Sequence, residues 1–309
     1  EAGIPAGALH CLPGDGTIGA ALVAHPRCAG VAFTGSTETA WRINRALAAR
    51  DAPIVPLIAE TGGINAMIVD ATALVEQVTD DVLTSAFRSA GQRCSALRLL
   101  CLQEDVADEL LAMIVGATRE LRLGDPRDPA TDVGPVIDEG ARDRLHDHLA
   151  RMERAARVHF RGEMRHPPPT GGLFLAPRIL ELEHAAQLDR EVFGPILHLV
   201  RYPANDLDSL LEAIAGSGYG LTLGIHSRIQ RTIDRIVDRL PVGNVYVNRN
   251  MIGAVVGTQP FGGSGLSGTG FKAGGPAYLT RFAQEQVVAT NTAAAGGNAT
   301  LLVEAGDRW

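Results

Sequence analysis

A cysteine between a basic and a small polar residue is the first feature of this chain that could support chemistry. Cys94 lies between Arg93 and Ser95, beside a glycine and near the end of a run of helix-forming residues. A thiol next to a cation and near a helix end is well placed to ionise, and the thiolate is the nucleophilic form. A buried cysteine that acts only as a small hydrophobic residue fits the same stretch equally well.

A carboxylate upstream of the cysteine is a candidate general base. Glu60 follows an apolar stretch, predicted as a strand over residues 54 to 58, and precedes Gly62 and Gly63. A carboxylate placed between a buried strand and glycines can project into a cleft and accept a proton there. A helix cap or a surface turn is the alternative interpretation of Glu60.

The turn at residues 33 to 36, with the sequence FTGS, is a candidate anion site. An apolar strand ends there and a helix begins, and the free amides and positive end of a helix favour phosphate or pyrophosphate. The alternative is that Ser36 or Thr37 only caps the helix.

Length, charge and cysteine content exclude several classes of protein. The chain has 309 residues, is 46% hydrophobic and carries a net charge of -7 without a basic run, which argues against nucleic acid and anionic membranes as partners. No apolar run is long enough for a membrane span, and the N-terminus has no secretory signal pattern.

The four cysteines match neither a disulfide framework nor a metal site, so we expect free thiols in a cytoplasmic protein. His146 and His148 are interpreted as part of a solvated helix face, and no metal is expected.

The hydrophobic pattern predicts strands that alternate with helices, which indicates an α/β fold with a parallel, helix-covered sheet. The predicted strands include residues 8–12, 54–58, 66–69, 97–102, 173–179, 196–201, 221–226 and 243–248. The predicted helices are residues 20–24, 38–49, 74–89, 106–121, 138–158, 206–215 and 229–240.

Five motifs in order give the chain a resemblance to a known family. They are FTGS (33–36), ETGG (60–63), GQRCS (91–95), EVFGP (191–195) and PFGGSGLSG (260–268). In this order, and with this separation of Glu60 from Cys94, they resemble the aldehyde dehydrogenase superfamily. Residues 248–279 and 291–302 resemble more narrowly the L-glutamate γ-semialdehyde dehydrogenase domain of bifunctional proline utilisation A proteins. One departure is Ala40, which stands where the family's G-S-T-x-x-G pattern ends in glycine.

The resemblance implies a function and a set of site residues. It implies NAD-dependent oxidation of the semialdehyde to glutamate, with Cys94 as nucleophile and Glu60 as general base. The implied cofactor-binding residues are Phe33, Thr34, Gly35, Ser36, Gly62, Glu191 and Phe193. The implied substrate-binding residues are Arg93, Ser95, Gly253, Ala254 and Phe261. Among them, the Gly253–Ala254 amides would bind the substrate carboxylate, and Arg93 would assist binding or lower the pKa of Cys94.

The resemblance also implies a domain organisation. Residues 1–59 would be the C-terminal part of a Rossmann-type NAD-binding domain, 60–260 the parallel-sheet catalytic domain, 261–290 a return segment with an oligomerisation β-flap, and 291–309 a tail. Family members carry more of the cofactor domain before the position of Glu1, so a longer bifunctional polypeptide and a homo-oligomer are expected. FAD is expected only if a proline dehydrogenase domain lies upstream.

Two other functions remain open from the sequence. The first is a different semialdehyde dehydrogenase, such as one that oxidises succinate semialdehyde, which is favoured if Gly253 and Ala254 do not face the cysteine. The second is a non-catalytic module that mediates oligomerisation or docking, which fits a chain lacking part of the cofactor site.

Overall fold

Parallel strands with helices between them make up the fold, as the hydrophobic pattern predicts. A computed structural model describes residues 3–163 and 172–291. The α-helices are α1 (Gly16–Ala24), α2 (Thr37–Ala48), α3 (Val75–Phe87), α4 (Glu104–Glu120), α5 (Glu139–Met152), α6 (Leu207–Gly216) and α7 (Gln230–Arg239). The strands are β1 (Val31–Thr34), β2 (Leu57–Glu60), β3 (Ala66–Val69), β4 (Leu99–Gln103), β5 (Arg157–Arg161), β6 (Arg178–Glu181), β7 (Ile196–Tyr202), β8 (Tyr219–Gly220), β9 (Thr222–His226), β10 (Asn244–Val247) and β11 (Ser264–Gly265).

Seven of these strands form the main sheet, in the order β10-β9-β3-β4-β7-β6-β5. Neighbouring strands are parallel except for β5, which pairs antiparallel with β6 at one edge. A separate parallel pair joins β1 to β2, and a short antiparallel pair joins β8 to β11. Parallel neighbours need crossover connections, and these connections carry helices onto the faces of the sheet.

The core lies on both faces of the main sheet. One face packs against apolar side chains of α5, α6 and α7, among them Leu145, Leu149, Leu211 and Ile236. The other face packs against α3 and α4, with Val78, Val82, Leu110 and Ile114 among the buried side chains. Because β3 and β9 are buried along their whole length, the sheet is a rigid base for the loops at its edges.

The loops at the amino-terminal edge of the main sheet carry Cys94 and several other predicted site residues. Cys94 lies in the loop before β4, Glu191 lies in the segment before β7, and Gly62 lies between β2 and β3. Glu60 is the last residue of β2. The site therefore lies where the carboxyl end of β2 leads into the amino-terminal edge of the main sheet.

Several predictions of secondary structure are wrong in detail. Residues 8–12 form no strand, since this segment is exposed and pairs with no described strand. The strands predicted over residues 54–58 and 173–179 form later in the chain, as Leu57–Glu60 and Arg178–Glu181. The helix predicted over residues 138–158 ends at Met152, and Arg157–Arg161 forms the edge strand β5. The end of the predicted β-flap forms no described strand and consists of a 3₁₀ helix, Leu279–Phe282, and an exposed segment after it. Whether that segment pairs with another subunit stays a prediction, and residues 292–309 of the predicted tail lie outside the described part.

The interpretation of His148 as a solvated residue is also wrong. His148 is buried on α5, and its Nε2 lies 2.8 Å from Nε2 of the fully buried His198 on β7. His146, two residues earlier on the same helix, is exposed. Burial lowers the pKa of His148 to about 4 and that of His198 to about 3, so both rings are neutral at physiological pH.

This buried pair predicts acid sensitivity of the fold. The folded-state pKa values lie below the ordinary value of 6.5, so the unfolded chain binds more protons as the pH falls below 6.5. We expect the free energy of unfolding to decrease between pH 6.5 and about 4, and His148→Gln to remove on the order of 2 kcal/mol of that decrease. Urea unfolding across this pH range measures the effect, with His146→Gln as the control. Equal pH dependence in wild type and His148→Gln would contradict the assignment.

Candidate active site

A strained turn presents Cys94. Helix α3 ends at Phe87, and the following 3₁₀ turn contains Ser89 and Ala90 with φ of 57° and 53°, the left-handed region that non-glycine residues rarely adopt. Gly91 follows with φ of 65°, and a Cβ atom there would lie 2.1 Å from the Gly194 carbonyl oxygen. The turn therefore packs closely against the segment before β7. Cys94, which follows the turn, is partly exposed.

Hydrogen bonds from Asn65 hold the cysteine loop in place. The buried Asn65 amide donates to the carbonyl oxygens of Cys94 and Ala96, at 2.6 and 2.8 Å. Its Oδ1 accepts from the Thr222 N–H at 3.2 Å, and the Thr222 hydroxyl donates to the Ser95 carbonyl. Three carbonyl groups of the loop are thereby satisfied by side chains anchored in the central strands.

A fully buried guanidinium links the cysteine loop to the segment that contains Glu191. Arg98 Nη2 donates to the Arg93 carbonyl at 3.0 Å and lies 3.5 Å from Glu191 Oε1. Its Nη1 donates to the Gly194 carbonyl at 3.3 Å, and the guanidinium lies 5.2 Å from the centre of the Phe193 ring. One side chain therefore fixes the two segments relative to each other.

The electrostatic environment of Cys94 differs from the one expected from the sequence. Burial raises the pKa of the Cys94 thiol and the Glu191 charge raises it further, whereas the Ser95 and Cys94 N–H groups and Arg98 lower it. Arg93, the cation next to Cys94 in sequence, is exposed and its Nε donates to the Ser89 hydroxyl at 2.9 Å. The cation that favours the thiolate is Arg98.

Glu60 lies among backbone groups of glycines. Its Oε2 accepts from the Gly263 N–H at 3.0 Å, and a Cβ atom at Gly262 would lie 2.9 Å from its Oε1. Oε1 is buried and accepts no hydrogen bond from the described residues. Burial raises the pKa of Glu60, which is the direction a general base at neutral pH requires. The alternative of an exposed cap or surface turn is wrong.

The predicted cofactor residues Gly62 and Glu191 meet in the structure. A Cβ atom at Gly62 would lie 1.7 Å from Glu191 Oε2, so only glycine leaves room for this carboxylate. Glu191 Oε1 is buried and, apart from the ion pair with Arg98, accepts no hydrogen bond from the described chain. Phe193, two residues on, has 42% of its surface exposed. A partly exposed aromatic ring and a carboxylate oxygen without a donor fit a ligand with hydroxyl groups and an aromatic ring.

The turn predicted to bind pyrophosphate connects β1 to α2. Thr34, Gly35 and Ser36 are exposed there, and the Phe33 ring packs over Gly35. The Ser36 hydroxyl accepts from the Thr39 N–H at 3.2 Å and caps α2, which agrees with the structural alternative given above. A role for these residues in pyrophosphate binding stays a prediction.

Helix α3 braces the loop predicted to bind the substrate carboxylate. On this helix Gln77 donates to the Asn248 carbonyl at 2.5 Å, and the Ser85 hydroxyl accepts from the Met251 N–H at 3.1 Å. The Ser85 carbonyl also accepts from Leu97, beyond the cysteine. The loop that begins at Asn248 and the cysteine loop are therefore attached to the same helix.

Tyr246 is bonded to this loop. Its hydroxyl donates to the Gly253 carbonyl at 3.3 Å. Burial raises the pKa of Tyr246, the Arg249 charge opposes this shift, and the charge of an ionised Cys94 adds to it. Gly253 has φ of 121°, and Ala254 is exposed. Phe261, partly buried, is held by two backbone hydrogen bonds to Ala273.

Comparison with known proteins identifies the family. The profile of the aldehyde dehydrogenase family matches residues 1–288. The chain belongs to the aldehyde dehydrogenase family. It is 55% identical over 294 residues to the bifunctional protein PutA of Klebsiella aerogenes, covering 91% of this chain and 22% of that protein. The chain therefore spans about a fifth of the length of that relative.

Solved structures of the family have the same fold. A crystal structure of a bifunctional proline utilization A protein superposes with a TM-score of 0.91 and 68% identity, covering 95% of this chain and 30% of that one. A 1-pyrroline-5-carboxylate dehydrogenase from Thermus with bound NAD superposes with a TM-score of 0.84 and 34% identity, covering 91% of this chain and 54% of that one.

Several residues that build the site were not predicted from the sequence. Asn65 and Arg98 lie within a few residues of ETGG and GQRCS, but the chemistry of those motifs does not indicate that a neighbour is buried and bonded. Lys272, whose charge acts on Glu60, was not predicted either. The sequence feature that could have indicated it is that it is the one lysine of the chain. Within residues 3–163 and 172–291, no cluster of His, Cys, Asp and Glu could hold a metal ion, and no helix is long and apolar enough to cross a membrane.

The effect of the Glu191 charge on Cys94 predicts how substitution of Glu191 changes the reactivity of the thiol. Because that charge raises the pKa of Cys94, Glu191→Gln should lower it and speed alkylation of the thiol severalfold at neutral pH. The rate of carboxymethylation by iodoacetate, followed by mass spectrometry of the Cys94 peptide against pH, measures the change. Glu183→Gln, at an exposed carboxylate, is the control. A pH profile that is the same in Glu191→Gln and wild type would show that Glu191 does not act on the thiol.

Proposed function

We propose that the protein that contains this chain oxidises L-glutamate γ-semialdehyde to L-glutamate with NAD, as part of proline catabolism. The observation that carries the proposal is the attachment of the cysteine loop and the Gly253 loop to one helix, α3, through Ser85. The arrangement supports a nucleophile placed next to a backbone site for a carboxylate. The names of the similar proteins agree with this substrate.

The first half of the proposed reaction takes place at Cys94. Its thiolate attacks the aldehyde carbon, and the oxygen of the aldehyde becomes an oxyanion that the Cys94 N–H can stabilise. Bound NAD supplies the hydride acceptor. Loss of hydride from the tetrahedral carbon leaves a thioester on Cys94. Arg98 supports this half of the reaction because its buried charge favours the thiolate over the thiol.

The second half is hydrolysis of the thioester, for which Glu60 is the proposed base. It removes a proton from a water molecule, the resulting hydroxide attacks the thioester carbon, and the thiolate leaves with formation of the carboxylate product. Burial raises the pKa of Glu60 toward neutrality, so the carboxylate is a stronger base than an exposed one.

Cofactor binding is assigned to the face formed by Gly62, Glu191 and Phe193, together with the turn at residues 33 to 36. The Glu191 carboxylate, whose Oε1 accepts no hydrogen bond beyond its ion pair with Arg98, suits ribose hydroxyl groups, and the partly exposed ring of Phe193 suits the nicotinamide. Ser36 would contribute at the pyrophosphate, in addition to capping α2.

Substrate binding is assigned to Arg93, Ser95, Gly253, Ala254 and Phe261. The left-handed φ of Gly253 turns the backbone of its loop, so that the amides of residues 253 and 254 can converge on a carboxylate. Arg93 is exposed beside the thiol and is free to pair with a bound anion in addition to its contact with Ser89. Phe261 would contact the aliphatic part of the substrate.

The proposal extends to the whole polypeptide. The share of the bifunctional relatives that this chain covers supports a longer protein. We further propose that this protein is cytoplasmic and homo-oligomeric, with residues 1–59 as part of an NAD-binding domain and residues 60–260 as the catalytic domain. Residues 261–290 would then hold the return segment and the oligomerisation flap. FAD belongs to the proposal only if an upstream proline dehydrogenase domain is present.

Cys94→Ala and Glu60→Gln should separate the two halves of the reaction in the full-length protein. We expect Cys94→Ala to abolish NADH formation from glutamate semialdehyde. Glu60→Gln should keep a stoichiometric burst of NADH but lower the steady-state rate by at least about 100-fold, because thioester hydrolysis loses its base. Stopped-flow absorbance of NADH measures both phases. Turnover retained by Cys94→Ala would refute the assignment of the nucleophile.

Gly253→Ala should impair recognition of the substrate carboxylate selectively. Alanine has open space at this position, but φ of 121° is strained for it, so the loop is expected to shift. We predict a KM for glutamate semialdehyde that rises by about tenfold or more, and an unchanged KM for propanal, which has no carboxylate. Gly257→Ala is a matched control, with φ of 82° and open space in the same loop. Equal effects on both aldehydes would exclude Gly253 as a carboxylate anchor.

A further inference from the structure

The one lysine of the chain lies beside the proposed general base. The sequence has 28 lysine and arginine residues, and all except Lys272 are arginine. The Lys272 ammonium group is half-buried and donates a short hydrogen bond to the Gly262 carbonyl. A Cβ atom at Gly243 would lie 2.0 Å from that carbonyl oxygen and 2.5 Å from Nζ. Glycine at position 243 therefore leaves the space in which this contact is made.

The hydrogen bond of Lys272 and the hydrogen bond of Glu60 share one peptide group. The carbonyl of Gly262 and the N–H of Gly263 belong to the same amide, and the Gly263 N–H donates to Glu60 Oε2 at 3.0 Å. A cation bound to the carbonyl oxygen polarises the amide and makes its N–H a stronger donor. Lys272 is therefore connected to the Glu60 carboxylate through the amide as well as through its charge.

Asn244 fixes the position of this peptide segment. Its Oδ1 accepts from the Gly262 N–H at 3.2 Å, and its Nδ2 donates to the Pro260 carbonyl at 2.8 Å. Because Asn244 is the first residue of β10, the segment is attached to the main sheet. The N–H that faces Glu60 is thus held by two anchors, Asn244 and Lys272.

The Lys272 charge and the Gly263 N–H oppose the effect of burial on the pKa of Glu60. Burial raises the pKa of Glu60, while the Gly263 N–H and the Lys272 charge lower it. Burial lowers the pKa of Lys272, and the Glu60 charge raises it. The other groups that pack against Glu60 are neutral backbone groups, from Thr34 of β1 and from Gly268. Within the described ranges, Lys272 is thus the charged group that acts on this carboxylate.

We propose that Lys272 is a positioning residue for Glu60, which it holds oriented and ionised through the Gly262–Gly263 peptide during thioester hydrolysis. The inference rests on the proposed dehydrogenase function and adds a residue to its second half-reaction. The ammonium group of Lys272 occupies space that a Cβ atom at position 243 would fill. An ammonium group is compact, whereas the guanidinium of arginine is wider and planar.

The test compares Lys272→Met, which removes the charge and the hydrogen bond, with Lys272→Gln, which keeps a donor without the charge. Both are made in the full-length protein and assayed with glutamate semialdehyde and NAD across a range of pH. Lys272→Met should keep the rate and amplitude of the NADH burst. Relative to wild type, its steady-state rate should fall severalfold at the acidic end of the pH range and recover at the alkaline end, because loss of the Lys272 charge raises the pKa of Glu60. Lys272→Gln should show a smaller shift in the same direction.

Arg281→Met is the matched control, because Arg281 is a partly buried cation that, like Lys272, donates to a backbone carbonyl, in this case that of Thr269. It should leave the pH profile unchanged. A steady-state profile of Lys272→Met that falls equally at all pH values, or that does not change, would overturn the role of Lys272. Absence of NADH formation from glutamate semialdehyde by the wild-type protein would instead refute the proposed function, so the two failures are distinguishable.

Discussion

The buried guanidinium of Arg98 is the interaction on which the site depends. A charge with no exposed surface is tolerated only when paired and hydrogen-bonded, because its desolvation costs several kcal/mol or more. The partners that meet this requirement are the Arg93 and Gly194 carbonyls and the Glu191 carboxylate, from two separate segments. Movement of the Glu191 segment would leave the charge unpaired, and movement of the cysteine loop would remove one of its hydrogen bonds. The geometry between the thiol and the proposed cofactor face is thus a consequence of satisfying one side chain.

The two carboxylates of the site are suited to different tasks by their surroundings. Burial raises the pKa of both, but Glu191 is paired with Arg98 in a direct ion pair, whereas Lys272 reaches Glu60 through a peptide. A directly paired carboxylate is held in its ionised form and suits a fixed acceptor for hydroxyl groups. A carboxylate with a raised pKa and without a direct ion pair, as in Glu60, suits proton transfer.

The sequence predicts the central strands well and the periphery poorly. Strand β3 has the predicted bounds, because a short apolar run buried on both faces has a local signal. Strand β5 was missed because an edge strand is defined by its partner β6, which lies later in the chain. In the site, Cys94 and Glu60 were identified by motif, but Arg98 was not. The residues next to Arg98 in sequence do not show that it is buried. Arg93, which is adjacent to Cys94, was the cation expected to lower the pKa of the thiol.

Glycine in this chain often marks the position of a functional side chain elsewhere. Gly62 gives room to Glu191, Gly262 to Glu60, and Gly243 to the bond between Lys272 and its carbonyl. In each case a single Cβ atom would fall within 3 Å of the charged group or its partner. The glycines of ETGG and PFGG increase the conformational entropy that the chain loses on folding, but the folded site requires them. Their motifs can be recognised from sequence, whereas the charged groups that explain them become visible only when distant segments are brought together.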